Sequence, residues 1–318
     1  MIDDLSYRQA TQARHPTVRR FGYLLNTTTI DLSKSLLLSW VELGKSGLAF
    51  AGASRAGKTT ALRAIVAALR AAFPHIVFVC LSSETQSATD RYERMFTEFM
   101  QQLYKDSSVR RRTENCHVFA NYLMTLCRDR DASHCVVMMD EAQRLAVHQW
   151  EGMAIVWNRL ELNEFGMCVF SFGNEELRNR ANLIRASAAS EGIGGRIFVK
   201  VLDFDGVRTK DELASILEQY DEQLWFPSPQ WPFTRFFAQE SFDRGWKLKD
   251  ETQRFWDALC AYSGVGEHGA GRGFRMQWIT DPIHFVLKDC LNDPQCRPGG
   301  KSLRWSTAIE LLCPTQIC

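Results

Sequence analysis

The run Gly52-Ala53-Ser54-Arg55-Ala56-Gly57-Lys58-Thr59 fits G-x-x-x-x-G-K-[ST] at every fixed position, and the chemistry of that spacing is phosphate binding. Glycines let such a loop wrap closely, so that backbone N–H groups and the start of the next helix face phosphate oxygens. Lys58 is placed to reach the β and γ oxygens, and the Thr59 hydroxyl to ligate Mg²⁺. The candidate nucleotide contacts are Gly52, Ser54, Arg55, Ala56, Gly57, Lys58, Thr59 and Thr60. A second group, Asp140-Glu141, ends the apolar run Cys135 to Met139 (CVVMM). Carboxylates at the end of a buried strand lie at the sheet edge where open α/β folds bind ligands. There Asp140 supports the metal shell with Thr59, and Glu141 polarises an attacking water. A small-molecule kinase does not need that second acid. The expected cofactors are therefore ATP and Mg²⁺, and the expected reaction is hydrolysis.

Two further features could join this chemistry. Asn174 follows Gly173 at the tip of the apolar run Cys168 to Phe172; it could sense a γ-phosphate or hold a water, or it could be a plain turn former. Arg178, Arg180, Arg185 and Arg196 cluster around a Gly/Ser/Ala-rich segment, and one could act as an arginine finger on a neighbouring subunit's nucleotide.

The elements that must carry these residues follow from periodicity. A helix is expected over 31–43 with Asp31 as its N-cap, after an irregular arm holding Arg14, Arg19 and Arg20. A short apolar strand over 47–51 leads into the glycine loop, and an Ala/Leu-rich helix runs from Lys58 to Phe73, where Pro74 stops it. Strands are expected over 76–81, 135–139, 168–172 and 197–201, with helices over 90–103, 116–127 and 150–163. This alternation predicts an α/β fold, a parallel sheet flanked by helices. It stops near Asp205, where helices broken by LWFPSPQWPF take over. The division expected is an N-terminal arm and helix over 1–45, a nucleotide-binding core over 46–205 and a smaller helical lid with an aromatic-rich insertion over 206–318.

At 318 residues, 45% of them hydrophobic and 24% charged, the composition is that of a globular chain rather than a disordered or membrane-embedded one. Thirty-eight Lys plus Arg nearly cancel thirty-seven Asp plus Glu, so nucleic-acid binding would need a local basic patch. The ten cysteines form no CxxC pair and are expected to be small buried residues of a reducing cytoplasm. The start MIDDLSYRQA has no secretory pattern, and no run reaches the length of a membrane span. Cytoplasmic localisation is expected.

Taken together, Gly52 to Thr59 with its Arg55, the MMDEAQRL segment around Asp140, and FSFGNEEL followed by GGRIF resemble the AAA+ ATPase regulators of Tn7-like and Mu-like DNA transposition, the TnsC/TniB type. The resemblance covers residues 31 to 205. It implies an ATP-loaded homo-oligomer, ring or helical filament, that assembles on double-stranded DNA, marks the target site, receives a target-selection protein and recruits a transposase. It also implies roles: Lys58 and Thr59 on phosphate and Mg²⁺, Asp140 and Glu141 as metal-supporting and catalytic acids, Asn174 as first sensor, and Arg196 acting across a subunit interface. The sequence departs from the family in the loop Ser82 to Asp90, which holds no basic residue before Arg91. Arg91, Arg94 or Arg110-Arg111-Arg112 would have to substitute in gripping DNA. Arg272 and Arg275 are candidates for a second sensor. Trp225, Trp231, Trp246, Trp256 and Trp278 could be core or a partner surface. The competing reading from another class is a nucleotide-gated scaffold ATPase that recruits proteins without touching DNA.

Overall fold

The computed structural model describes residues 2–20, 22–83, 92–104, 116–186, 191–264, 271, 273–292 and 304–313. The chain forms two compact units. One is Leu32–Phe204, and the other joins Met1–Asp31 to Asp205–Cys318.

The first unit is built on five parallel strands, β1 (Gly47–Ala51), β2 (Val77–Ser82), β3 (His134–Asp140), β4 (Gly166–Gly173) and β5 (Lys200–Asp203), in the order β2-β3-β4-β1-β5. Central strands must be apolar on both faces when helices cover both, and β1 and β3 are apolar almost throughout. Alternate residues of one face, among them Ala49, Val79, Leu81, Val137, Met139 and Val169, share a core with the helices Tyr92–Tyr104, Cys116–Asp129 and Val147–Glu161. The helix Lys58–Ala72 buries Ala61, Leu62, Ile65, Val66 and Leu69, a stripe at helical spacing outside that cluster. On the sheet, Phe50 of β1 stacks on Phe172 of β4 with ring centroids 4.9 Å apart.

Register fixes where the strands end, and hence where chemistry gathers. β3 pairs Met139 with Ser171 of β4 and Asp140 with Ser82 of β2, while β1 pairs Ala51 with Gly173. The carboxyl ends of β1, β3 and β4 are thus brought level by the ladder itself.

Three expectations are corrected. The last strand is Lys200–Asp203, and Ile197 instead closes a helix, Glu191–Ile197. Ile193 and Ile197, four apart, are both buried in the core, so packing at helical spacing overrides the β-propensity of Ile-Phe-Val. The helix expected over 31–43 is Thr28–Glu42, with Asp31 in its first turn. Its cap is the Thr27 hydroxyl, which accepts the Ile30 N–H at 3.2 Å. Finally, the arm expected to be irregular holds the helices Leu5–Thr11 and Pro16–Arg19; a further helix, Glu175–Ala186, follows Asn174 directly, in a segment whose polar composition hides its period.

The second unit is helical, with Lys210–Glu222, Thr252–Ser263, Met276–Asn292 and Trp305–Leu312 as its longer pieces and short helices over Phe233–Phe237 and Gln239–Asp243. The residues of the N-terminal arm, expected as a separate element, are stitched into it. The Gln219 side chain accepts the Asn26 N–H and donates to the Asn26 carbonyl, both at 2.8 Å. Trp231, Trp256 and Trp278 are buried in its core, and Trp246 is half-buried. That burial decides against a five-tryptophan partner surface; of the five, Trp225 is the exposed one, at 50%.

Among the described residues no helix is long and apolar enough to cross a membrane. Cys80 is exposed, and the other described cysteines are buried.

Candidate nucleotide site

Gly52 leaves β1 with its N–H bonded to the carbonyl of Gly173, 3.1 Å away at the end of β4. A Cβ at Gly52 would lie 2.1 Å from the Phe204 carbonyl oxygen, so only glycine passes here. Gly57 takes φ +96°, a left-handed backbone that favours glycine, and offers the helix Lys58–Ala72 no side-chain cap. The helix therefore starts with backbone donors that an anion can satisfy. Arg55 also takes a positive φ, +63°, and is exposed with Ser54, Thr59 and Thr60, while Ala56 is buried.

Lys58 is buried, and its ammonium donates to the carbonyls of Gly52 at 2.9 Å and Ala53 at 2.6 Å. The charge is thus held inside the curl of the loop. Thr59, the next residue, donates its hydroxyl to Oδ2 of Asp140 at 2.7 Å, across 81 residues of sequence. A hydroxyl and a buried carboxylate at one point form an oxygen donor set that suits a hard divalent cation such as Mg²⁺, and the glycine-bounded loop beside it suits a polyphosphate. The residues present fit both.

Beyond Asp140 the backbone turns sharply. Glu141 has φ +52°, and its N–H donates to Oδ1 of Asp140 at 3.0 Å. Its carboxylate, 37% exposed, accepts from Nε2 of Gln143 at 2.7 Å and lies 3.5 Å from Nε of Arg144. Asn174 lies at the tip of β4, where its N–H donates to Oε1 of Gln143 at 3.2 Å and its Oδ1 accepts the Glu176 N–H at 2.9 Å. The side-chain oxygen of Asn174 thus caps the helix Glu175–Ala186. Gln143 joins the acid to the strand tip; its motif, DEAQRL, was legible in the sequence, but nothing local says which groups a glutamine will bridge.

The arginines are distributed differently. Arg196 lies in the last turn of Glu191–Ile197, donating to Asn158 Oδ1 and paired with Glu161 at 3.6 Å. Arg178 pairs with Asp203 at 2.5 Å, while Arg180 donates to the Leu145 carbonyl and Arg185 to that of Phe198. Arg275 is exposed in the other unit. Glu84 to Arg91, the Arg110-Arg111-Arg112 run and Arg272 lie outside the described residues.

Residues 42–181, which hold the loop, β1 to β4 and Asn174, match the family model described as an AAA domain. The core has an AAA+ P-loop fold. Among solved structures, the chain is similar to the ORC2 protein of Aeropyrum pernix, at 12% identity and a TM-score of 0.57 over 93% of this chain and 71% of that one. It is also similar to Cdc6p of Pyrobaculum aerophilum, at 13% and 0.51 over 84% and 62%, and to the ORC1 protein of Aeropyrum pernix in complex with DNA, at 13% and 0.53 over 90% and 66%. At these identities the likeness is one of fold. The chain spans about two thirds of the length of these relatives. No curated protein matches the sequence.

Proposed function

We propose that this AAA+ domain binds ATP with Mg²⁺, hydrolyses it, and uses the cycle to assemble the chain as a homo-oligomer on double-stranded DNA. The observation that carries the reading is the 2.7 Å bond between Thr59 Oγ1 and Asp140 Oδ2, which brings the loop hydroxyl and the strand-end acid to one point.

When bound, Mg²⁺ and the triphosphate supply the electrophilic γ-phosphorus and a counter-charge to its oxygens. Thr59 and Asp140 would hold the metal. Lys58 would leave the carbonyls of Gly52 and Ala53 for phosphate oxygens, exchanging neutral acceptors for charged ones, which form stronger hydrogen bonds. Glu141, next to the metal-holding acid, would take a proton from the attacking water. Asn174 would position that water or read the γ-phosphate, and Arg196 would act across a subunit boundary once its pairing with Asn158 and Glu161 is exchanged.

For the finer role, the Arg55, DEAQRL and GGRIF signals favour an ATP-dependent regulator of transposition in the cytoplasm, linking a target-selection protein to a transposase. The DNA arm of this reading is supported by the similarity of fold to a protein solved in complex with DNA. The absence of basic residues from Ser82 to Asp90 favours the second reading, a nucleotide-gated scaffold that does not touch DNA.

Purified chain is mixed with duplex DNA with ATP, with a slowly hydrolysed analogue and without nucleotide, at low and high salt, and imaged. Nucleotide-dependent rings or filaments on DNA that weaken with salt, and that Lys58→Ala abolishes, are the expected result. Oligomers that need nucleotide but ignore DNA would overturn the DNA reading in favour of the scaffold.

A further inference from the structure

Gln143 is 6% exposed and uses both ends of its amide inside the site. Nε2 donates to Glu141 Oε2 at 2.7 Å, and Oε1 accepts the Asn174 N–H at 3.2 Å. The fit on the β4 side is close, because a Cβ at Gly173 would lie 2.6 Å from Gln143 Oε1. An amide of this length supplies, without a charge, a donor and an acceptor pointing opposite ways. Glutamate in its place would set a second carboxylate against Glu141, and methionine would leave both partners without a bond.

We propose that Gln143 is a positioning residue for hydrolysis: it fixes the Glu141 carboxylate to the Asn174 end of β4, so that acid and strand tip hold one geometry. The inference rests on the reading of Glu141 as the hydrolytic acid. Glu141 itself takes a left-handed backbone and is only half-buried, and its charged partner, Arg144, is a looser contact at 3.5 Å on the same oxygen. Without Gln143 the carboxylate would swing on three side-chain torsions, and displacements of about 1 Å at a reacting group cost up to ~100-fold in rate. The remaining charged groups of the segment, Asp140 bonded to the Glu141 N–H and Arg180 bonded to the Leu145 carbonyl, hold backbone rather than the Glu141 carboxylate.

The test uses the full chain as wild type, Glu141→Gln, Gln143→Ala and Gln143→Glu, with ATP turnover, nucleotide affinity and backbone amide exchange measured on each. Gln143→Ala is expected to lower kcat by ~10–100-fold while nucleotide affinity and KM stay within about twofold, the signature of an interaction used only in the transition state. Gln143→Glu carries the sharper signature. Beside Glu141 its carboxyl has a raised pKa, and once protonated it again donates to Glu141 and accepts from Asn174. Its turnover relative to wild type should therefore recover as pH falls from about 8 toward about 6, which a merely structural residue would not produce. Independently of turnover, the Asn174 amide should exchange ~10-fold faster in Gln143→Ala while the Gly52 amide, bonded to Gly173, keeps its rate.

Turnover of Gln143→Ala equal to or above wild type, with Glu141→Gln inactive, would overturn the proposal. So would unchanged exchange at Asn174. Should Glu141→Gln turn over as fast as wild type, the reading of Glu141 itself fails, and the Asn174 exchange then reports only on the amide bridge.

Discussion

The two units use buried polar groups in opposite ways. In Leu32–Phe204 they collect at the strand ends: Lys58, Asp140 and Gln143 are buried and adjoin Thr59, Glu141 and Asn174. In the helical unit they tie together backbone that is far apart in sequence. Arg8 donates to the Phe236 carbonyl, Gln219 brackets Asn26, and Asp221 accepts the N–H groups of Leu248 and Lys249. Glu251, 3% exposed, accepts from the indoles of Trp246 and Trp305. His284 Nε2 lies 3.1 Å from the hydroxyls of both Tyr23 and Tyr220, and His15 is enclosed by Phe226, Phe233, Phe236 and Phe237. In the first unit these groups stand together at the carboxyl edge of the sheet; in the second they join segments distant in sequence. The same kinds of side chain are therefore gathered at one edge of the first unit and spread through the packing of the second.

Trp305→Ala should give the largest effect and sharpen this contrast. The ring stacks on Phe255 at 4.2 Å and donates to buried Glu251, so its removal leaves both a cavity and an underbonded carboxylate. A loss of about 3–5 kcal/mol is expected for the helical unit in calorimetry or denaturant melts, with ATP affinity of the folded protein kept. An equal loss of ATP affinity would break the division of labour.

Acid should act next, again on the helical unit. Burial depresses the pKa of His15 to about 3 and of His284 to about 4, in the first case aided by the neighbouring histidine. Both are neutral when folded, and the unfolded chain binds their protons more readily below the ordinary value near 6.5. The stability they contribute is thus complete above that value and is lost as pH falls toward 4 and then 3, with a slope of at most about 1.4 kcal/mol per pH unit for each group. Melting temperatures recorded from neutral pH downward should fall less steeply in His15→Phe than in wild type; parallel curves would remove His15 from the account.

The smallest effect is expected from Gln219→Ala, which strands the N–H and carbonyl of Asn26. The cost should be about 1–3 kcal/mol, visible as a lower Tm and as faster proteolysis of the N-terminal arm. A Tm within experimental scatter of wild type would mean that Leu25 and its neighbours, not the amide, hold the arm.

Much of the candidate nucleotide site could be read without a structure. The loop Gly52 to Thr59 is a local signal, because eight consecutive residues set its backbone and its donors. Asp140-Glu141 was legible for a similar reason: an apolar run ending in acids has its boundary written in composition. Four of the five strands lie within about two residues of where hydrophobic runs place them. The fifth was misplaced, since Ile193 and Ile197 read as well on a helix face as in a strand, and only the core they meet distinguishes the two. The arginines were legible as a cluster and not as partners, because a guanidinium pairs with whatever carboxylate or carbonyl the fold brings within reach.

By itself, then, the sequence determined which groups are on offer: a glycine-bounded loop that suits phosphate, a hydroxyl beside its lysine, two acids at a strand end and an alternation of strands and helices that makes a parallel sheet. The tertiary structure alone decided the strand order β2-β3-β4-β1-β5, the meeting of Thr59 with Asp140, the bridge that Gln143 makes between Glu141 and Asn174, and the capture of Asn26 by Gln219. The reason is physical. Propensity and motif act over a few residues, whereas parallel pairing and side-chain hydrogen bonds join residues tens to hundreds apart, and their partners are chosen by register and burial rather than by the neighbours along the chain.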